Sequence, residues 1–552
     1  MVNQEIRGLH EAAYLLAFFA LLSQILALVR DKLLAYNFGA GVVLDVYYSA
    51  FRIPDLIFVS IASLVSASVL VPFFIDRYKN DRDHGQKFID SVFSAFFFLI
   101  IAVSIIIYFL IPDLTKLLLP GFADSKYLND LIFASRVLLL SPIFLGISNF
   151  ISSITQMHKR FLIYALSPIV YNIGIIVGIV FLYPICGLNG LIYGVVLGAF
   201  MHFMIQVPFI LSRGTFPHIR LDIDWSSIKK VVFVSLPRTL TLSSNQLASF
   251  FLVSLASLMS GGSISIFNLA INLQSVPMTI IGMSYSSAVF PTLSRFFVEK
   301  KREEFLKQMI DSARHIVFWS MPIMILFIVL RAQIVRTIYG AGSFDWADTR
   351  LTAATLAVFV VSIIGQSLIL LFVRAYYAEG KTKKPLIINI TSGMIIVALG
   401  YGLTKAFFAF PVFRFFIEDL LKVNSQVGTS VLVLPLAYSI GVLFNTYMHW
   451  HMFENDYKGF TKPVMVTLFQ SFASSVIMGY VTFLSLRFFN IFFPLTKAWN
   501  VFFQGFFAGI TGIFIGIIVL ILLKNREIKE VWATLHHKFW KSNVVVPDQE
   551  TL

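Results

Sequence analysis

Long apolar runs recur along the whole chain, separated by short polar stretches. A membrane-crossing helix needs about 20 mostly apolar residues. About 14 segments meet that requirement, near 12–29, 46–75, 91–111, 131–155, 163–183, 190–211, 231–256, 265–293, 314–335, 351–377, 386–409, 429–452, 463–486 and 499–523. None has the short alternating strands of a membrane barrel. The pattern therefore predicts an all-α polytopic membrane protein. Residues 12–29 are too long for the apolar region of a cleaved signal, and no small-residue cleavage site follows, so they are read as the first membrane helix.

The polar stretches orient the spans. With the N-terminus on the cytoplasmic side, segments such as Arg77/Lys79/Arg82/Lys87, Lys159-Arg160, Lys229-Lys230, Lys300-Lys301-Arg302 and Lys383-Lys384 all fall inside. The cytoplasmic set holds roughly 27 Lys and Arg, against about 11 on the other side. That asymmetry, and an even helix count, both place the two termini inside. Two shorter amphipathic pieces lie outside the spans. Residues 410–424 fit a short interfacial helix. Ile528, Val531, Trp532, Leu535 and Phe539 recur at helical spacing in a tail suited to the inner membrane surface.

A repeat with an offset of about 220 residues underlies the spans. Gly39-Ala40-Gly41 precedes a helix with Ala50 and Pro54, and Gly261-Gly262-Ser263 precedes one with Ala270 and Pro277. The basic turn at 157–160 enters a helix with Asn172, and the one at 381–384 enters a helix with Asn389. Six-helix repeats around a central cavity are a transporter design. The last two spans fall outside the repeat.

Composition changes this picture little. Hydrophobic residues make up 58% and charged residues 13%, about half the charge of a soluble globule. The net charge of +14 is accounted for by the inside loops, so nucleic acid is not an expected partner. Cys186 stands alone, which excludes an internal disulfide or a cysteine metal site. No Walker loop, HExxH or GxSxG motif occurs, and His449 and His451 lack zinc-pair spacing. No metal and no cofactor is expected. An ion gradient or the membrane potential is the default energy source.

Charges inside spans are costly and usually face a cavity or a partner. Arg30, Asp45, Arg52, Asp55, Arg136, Arg238 and Arg374 are the candidates. Arg30 suits a cavity position, where a guanidinium binds phosphate oxygens in pairs. Arg52 and Asp55, three apart, can pair on one helix face. Arg238 follows Pro237 early in the seventh span, and Asn245, Gln246, Asn268, Asn272 and Gln274 add polarity nearby. Interhelical hydrogen bonding is an equal reading for those amides. Arg136 and Arg374 lie nearer span ends, where snorkelling is the simpler reading.

The run Arg30-Asp31-Lys32, Phe38-Gly39-Ala40-Gly41, Asp45 and Ala50-Phe51-Arg52-Ile53-Pro54 resembles the N-terminal signature of the MurJ/MviN family. Val71-Pro72-Phe73, Pro120-Gly121-Phe122-Ala123, Phe290-Pro291-Thr292-Leu293-Ser294 and Tyr376-Tyr377-Ala378 with Thr382 and Pro385 extend the resemblance over about residues 10–525. It implies a MOP-superfamily exporter. Its lobes would be residues 1–212 and 213–455, with two further helices in 456–525 forming a lipid-tail groove and 526–552 a cytoplasmic tail. It implies alternating-access transfer of lipid II, a polyprenyl-pyrophosphate-linked peptidoglycan precursor, across the cytoplasmic membrane. Membrane lipids and cell-wall synthesis proteins are the implied partners. Arg30 and Asp45 match family functional positions, whereas Gln24 and Asn272 stand where the family carries arginines. Substrate contacts are expected from Arg30, Asp45, Arg52, Arg238, Asn272 and Gln24, hinges at Pro54 and Pro277, and coupling from Asp55 and Glu379. A flippase for another polyprenyl-linked oligosaccharide, a non-transporting scaffold of the same fold and a cation antiporter remain alternatives. Deep charges that are mostly arginines argue against the antiporter.

Overall fold

The computed structural model describes residues 9–65, 70, 71, 73, 74, 77, 82–158, 161–424, 426–495 and 497–540. Its elements are helices, with no strand among the described residues. The principal ones are α1 (Leu9–Phe38), α2 (Val42–Ala50), α3 (Arg52–Ala62), α4 (Arg82–Leu118), α5 (Leu128–Leu138), α6 (Leu140–Met157), α7 (Phe161–Val177), α8 (Leu188–Met204), α9 (Trp225–Ser257) and α10 (Ser263–Met278). They continue as α11 (Ser284–Val298), α12 (Arg302–Val329), α13 (Arg331–Tyr339), α14 (Trp346–Val360), α15 (Ile363–Ala378), α16 (Lys383–Ala409), α17 (Pro411–Leu421), α18 (Val433–Asp456), α19 (Thr461–Phe489), α20 (Ala498–Leu522) and α21 (Arg526–Trp540).

Among the described residues, 11 helical segments are long and apolar enough to cross a membrane, or up to 12 if the bent pair α14–α15 is one span. These coincide with all the expected spans except 12–29 and 231–256, which fall inside α1 and α9. Both of those helices include residues whose side chains lie outside the described set. The expected interfacial segment forms α17, and the expected tail helix forms α21. Leu535 and Phe539 of that tail have side chains outside the described residues, as do Arg82 and Arg238, and Lys79, Lys159, Arg160 and Pro72 lie outside altogether.

Prolines set the breaks. Pro54 cannot donate to the carbonyl of Ala50, and its ring crowds that carbonyl. The helix accordingly stops at Ala50 and restarts at Arg52. Pro277 lies near the end of α10 and is followed by a π-helical turn, Thr279–Met283, before α11 resumes the same span. A second π-helical turn, Gly178–Leu182, follows α7. π-turns inside α-helices accompany functional sites more often than chance.

The chain divides into two compact units. Unit 1 comprises Met1–Val276, Ile338–Ser362 and Gly380–Asn445, and unit 2 comprises Pro277–Thr337, Ile363–Glu379 and Thr446–Leu552. The first boundary along the chain falls at Pro277.

Within unit 1 the two glycine turns of the repeat pack on each other. A Cβ at Gly262, whose φ is +92°, would stand 2.0 Å from the carbonyl oxygen of Ala40. The backbones of α7 and of the π-turn after it touch α8 through glycines: a Cβ at Gly178, the first residue of that turn, would lie 2.5 Å from the Cα of Gly194, and one at Gly174 would lie 2.3 Å from that of Gly198. Small residues allow this approach where no hydrophobic force drives helices together in lipid. The segment before α9 runs along a polar stripe of α4. Asp90 accepts from the His218 backbone at 3.0 Å, Ser94 accepts from the Arg220 backbone at 2.8 Å, and Gln86 donates to the Phe216 carbonyl at 3.2 Å. Asp224 then caps α9, accepting from the Ser226 and Ser227 N–H groups, and the Ser227 hydroxyl, with these backbone bonds, holds its carboxyl below the usual range.

Unit 2 is organised around an aromatic core in which Phe305, Phe372, Tyr376, Phe453 and Phe460 are fully buried. Its last helices pack closely, with a Cβ at Gly512 falling 1.9 Å from the Thr482 hydroxyl. The tail helix α21 is tied down by charge. Glu527 pairs with Arg314 at 2.6 Å, Thr467 bridges both at 3.0 Å, and Glu530 meets His315 at 3.2 Å.

Candidate functional site

The charged residues of α1 to α3 converge within unit 1. Near the end of α1, Arg30 donates to the Asp31 carboxylate from Nε (2.9 Å) and Nη2 (2.8 Å), and to the Asn172 amide oxygen from Nη1 (3.1 Å). Asn172 is itself oriented from α7, where its amide donates to the Pro168 carbonyl at 3.0 Å. The second Asp31 oxygen accepts from Asn272 of α10 at 2.9 Å. Asp31 is 1% exposed, so this carboxylate is fully engaged inside the protein, while Arg30 keeps 20% of its side chain exposed. Three of the five guanidinium N–H groups of Arg30 are engaged in these bonds.

Arg52 starts α3 and donates from Nη2 to the amide oxygen of Asn268. Asn268 donates in turn to the Ile264 carbonyl at 2.7 Å. Asn268 and Asn272 are four apart, on one face of α10. Each holds a different charged group from the N-terminal helices.

These residues line a cavity of about 310 Å³. Arg30, Arg52, Asp55, Asn268 and Asn272 supply its polar wall, and Tyr47, Tyr48 and Tyr171 its aromatic wall. Two donors there, Arg52 Nε and Tyr48 Oη, are buried without a partner. Asp55 is the one carboxylate among the described lining residues. The lining thus offers guanidinium and amide donors beside a single acid.

The cavity brings together Arg30, Arg52, Asp55 and Asn272 from the sequence expectations. Asp45 is placed elsewhere in unit 1. Its oxygens accept from the Gly262 N–H (2.6 Å), the Ser265 N–H (2.7 Å) and the Ser265 hydroxyl (2.6 Å), so it caps the start of α10 across the two repeat turns. Gln24 is half-buried on α1 and is absent from the described cavity lining. Arg238 has its side chain outside the described residues. Glu379 belongs to unit 2, where it is 7% exposed and sits beside Tyr457; burial and this carboxylate together push the Tyr457 phenol up. Pro54 and Pro277 stand at the two helix breaks described above.

Sequence reasoning missed Tyr47, Tyr48 and Tyr171 as cavity residues. Only Tyr48 carried a partial signal, four positions before Arg52.

A polytopic helical bundle with a polar, arginine-bearing cavity has the architecture of a membrane transporter. The fold matches solved transporters. A structure titled "Lipid II flippase MurJ, inward closed conformation" aligns with a TM-score of 0.73 at 22% identity, covering 94% of this chain and 100% of that one. An inward-facing multidrug resistance MATE family transporter of the MOP superfamily aligns with a TM-score of 0.66 at 15% identity, covering 82% and 99%.

A family model described as "Lipid II flippase MurJ" matches residues 34–503, and the chain belongs to this family. The curated "Lipid II flippase MurJ" of Burkholderia cenocepacia is 24% identical over 389 residues, which cover 69% of this chain and 75% of that protein. The "Probable lipid II flippase MurJ" of Buchnera aphidicola subsp. Schizaphis graminum is 26% identical over 476 residues, covering 85% and 88%.

Proposed function

We propose that this protein moves lipid II, the polyprenyl-pyrophosphate-linked peptidoglycan precursor, from the inner to the outer leaflet of the cytoplasmic membrane by alternating access. The observation that carries this reading is the pair Arg30 and Arg52 on the wall of one polar cavity. A pyrophosphate offers many acceptor oxygens to planar guanidinium groups, which bind them in pairs. Asn268 and Asn272 preset the directions of Arg52 and of the Arg30–Asp31 pair, so less ordering accompanies binding.

On this reading Asp55 is the coupling group. Its carboxylate opposes an anion when charged and admits one when protonated, which links the cavity to an ion gradient or the membrane potential. Arg238 takes part in substrate binding, Pro54 and Pro277 act as hinges, residues 456–525 hold the prenyl tail, and both termini lie on the cytoplasmic side. The test is rescue of a MurJ-depleted bacterium by the wild-type chain and by Arg30→Ala, with membrane expression checked for both. Rescue by the wild type alone supports the reading. Equal rescue by Arg30→Ala removes the cavity from the mechanism.

A further inference from the structure

We propose that a groove on unit 1, between α4 and the span formed by α5 and α6, binds one anionic bilayer phospholipid, with its phosphate against Arg136 and an acyl chain along the apolar wall. The groove encloses about 660 Å³. Its walls are mostly apolar, and Ile105, Phe109, Phe133 and Leu140 stand 39–70% exposed on them. All four belong to segments long and apolar enough to cross the membrane, where the surrounding medium is acyl chain.

Arg136 is what distinguishes this groove from an ordinary lipid-facing furrow. It lies in the span Leu128–Met157, roughly 12 Å of helix rise from its start. Its Nε donates to the Tyr108 carbonyl at 3.2 Å, and its Cζ lies 4.7 Å from the centre of the Tyr108 ring. These contacts aim the guanidinium but do not neutralise it. No carboxylate pairs with Arg136 among the described residues, in contrast to Arg30 and Arg314.

The Gly85–Leu118 and Leu128–Met157 spans contain 34 and 30 residues. Both exceed the roughly 20 needed to cross the hydrocarbon, so the outer part of each reaches the headgroup layer and Arg136 sits near that boundary. The Nη groups of Arg136 then meet a lipid phosphate as a paired donor, and Asn129 offers an amide at the mouth. Charge complementarity selects a net-anionic headgroup over a zwitterionic one. The site is separate from the central cavity, with which it shares no described lining residue.

The test is native mass spectrometry of the purified full chain, titrated with dioleoylphosphatidylglycerol or dioleoylphosphatidylcholine. The wild type should retain one phosphatidylglycerol with clear preference. Arg136→Gln should lower that retention about tenfold, to the level of phosphatidylcholine. Ile105→Trp, which fills the groove, should lower retention of both lipids, and it carries the test if Arg136→Gln does not fold. Unchanged phosphatidylglycerol retention in the folded variants overturns the proposal. So does loss of that retention on Arg30→Ala with Arg136→Gln unaffected, which would assign the lipid to the central cavity.

Discussion

Arg30 in unit 1 and Arg314 in unit 2 are each held by a carboxylate that is almost completely buried, Asp31 at 1% and Glu527 at 2% exposure. Their surroundings separate them. Thr467 closes a ring with Arg314 and Glu527, donating to one and accepting from the other. That ring ties the tail helix to α12 and α19. Arg30 is also fixed by Asp31 and Asn172, yet it remains part of a cavity wall. A buried arginine–carboxylate pair is thus a fastener in one place and part of a cavity wall in the other. The partner beyond the carboxylate, a hydroxyl that closes a ring or a cavity left open, makes the difference.

This contrast can be broken by substitution. Arg30→Ala should abolish transport in the rescue assay while leaving helical content intact, and Arg30→Lys should fail too, because an ammonium cannot reproduce the planar fork shared by Asp31 and Asn172. Recovery with lysine would show that charge alone suffices. Arg314→Met should instead destabilise the tail region by about 3–5 kcal/mol, because it leaves Glu527 buried and uncompensated. Replacing both partners with Met and Leu should recover most of that loss in thermal melting of the purified protein, which an independent role for Arg314 would prevent.

Asp45→Ala removes the acceptor for the Gly262 and Ser265 N–H groups and should cost about 2 kcal/mol in melting. Transport measured at matched expression should persist, and its complete loss would return Asp45 to the substrate path. The smallest effect is expected from Gln24→Ala, with transport within about twofold of wild type, since a surface or half-buried side chain away from the site contributes little.

Much of this was legible in the chain. Helix lengths follow from apolar runs, because lipid leaves the backbone no alternative partner. The break at Ala50 follows from Pro54, and the candidate charges Arg30, Arg52 and Asp55 follow from the cost of placing them in a span. What could not be read was orientation around each helix. Asp45 and Asp55 look alike in sequence, both acids of one apolar segment that also holds Arg52. One turned toward the backbone donors of α10 and the other toward the cavity, and only packing decides that. Arg314 and its partner Glu527, 213 positions apart (527 − 314), left no local signal at all. The tyrosines of the cavity were hidden for a related reason: in a chain with 58% hydrophobic residues, an aromatic ring passes for core.

The glycine contacts between α7 and α8 have a mechanical consequence. Two rods free to slip resist bending only as the sum of two thin beams. Two rods joined along their length bend as one thicker beam, and stiffness rises steeply with thickness. With backbone against backbone at Gly174–Gly198 and Gly178–Gly194, no side-chain layer remains to shear. The pair, with the π-helical turn Gly178–Leu182 packed on Gly190 and Gly194, should therefore move as a single spar, and any flexing is displaced beyond Leu182.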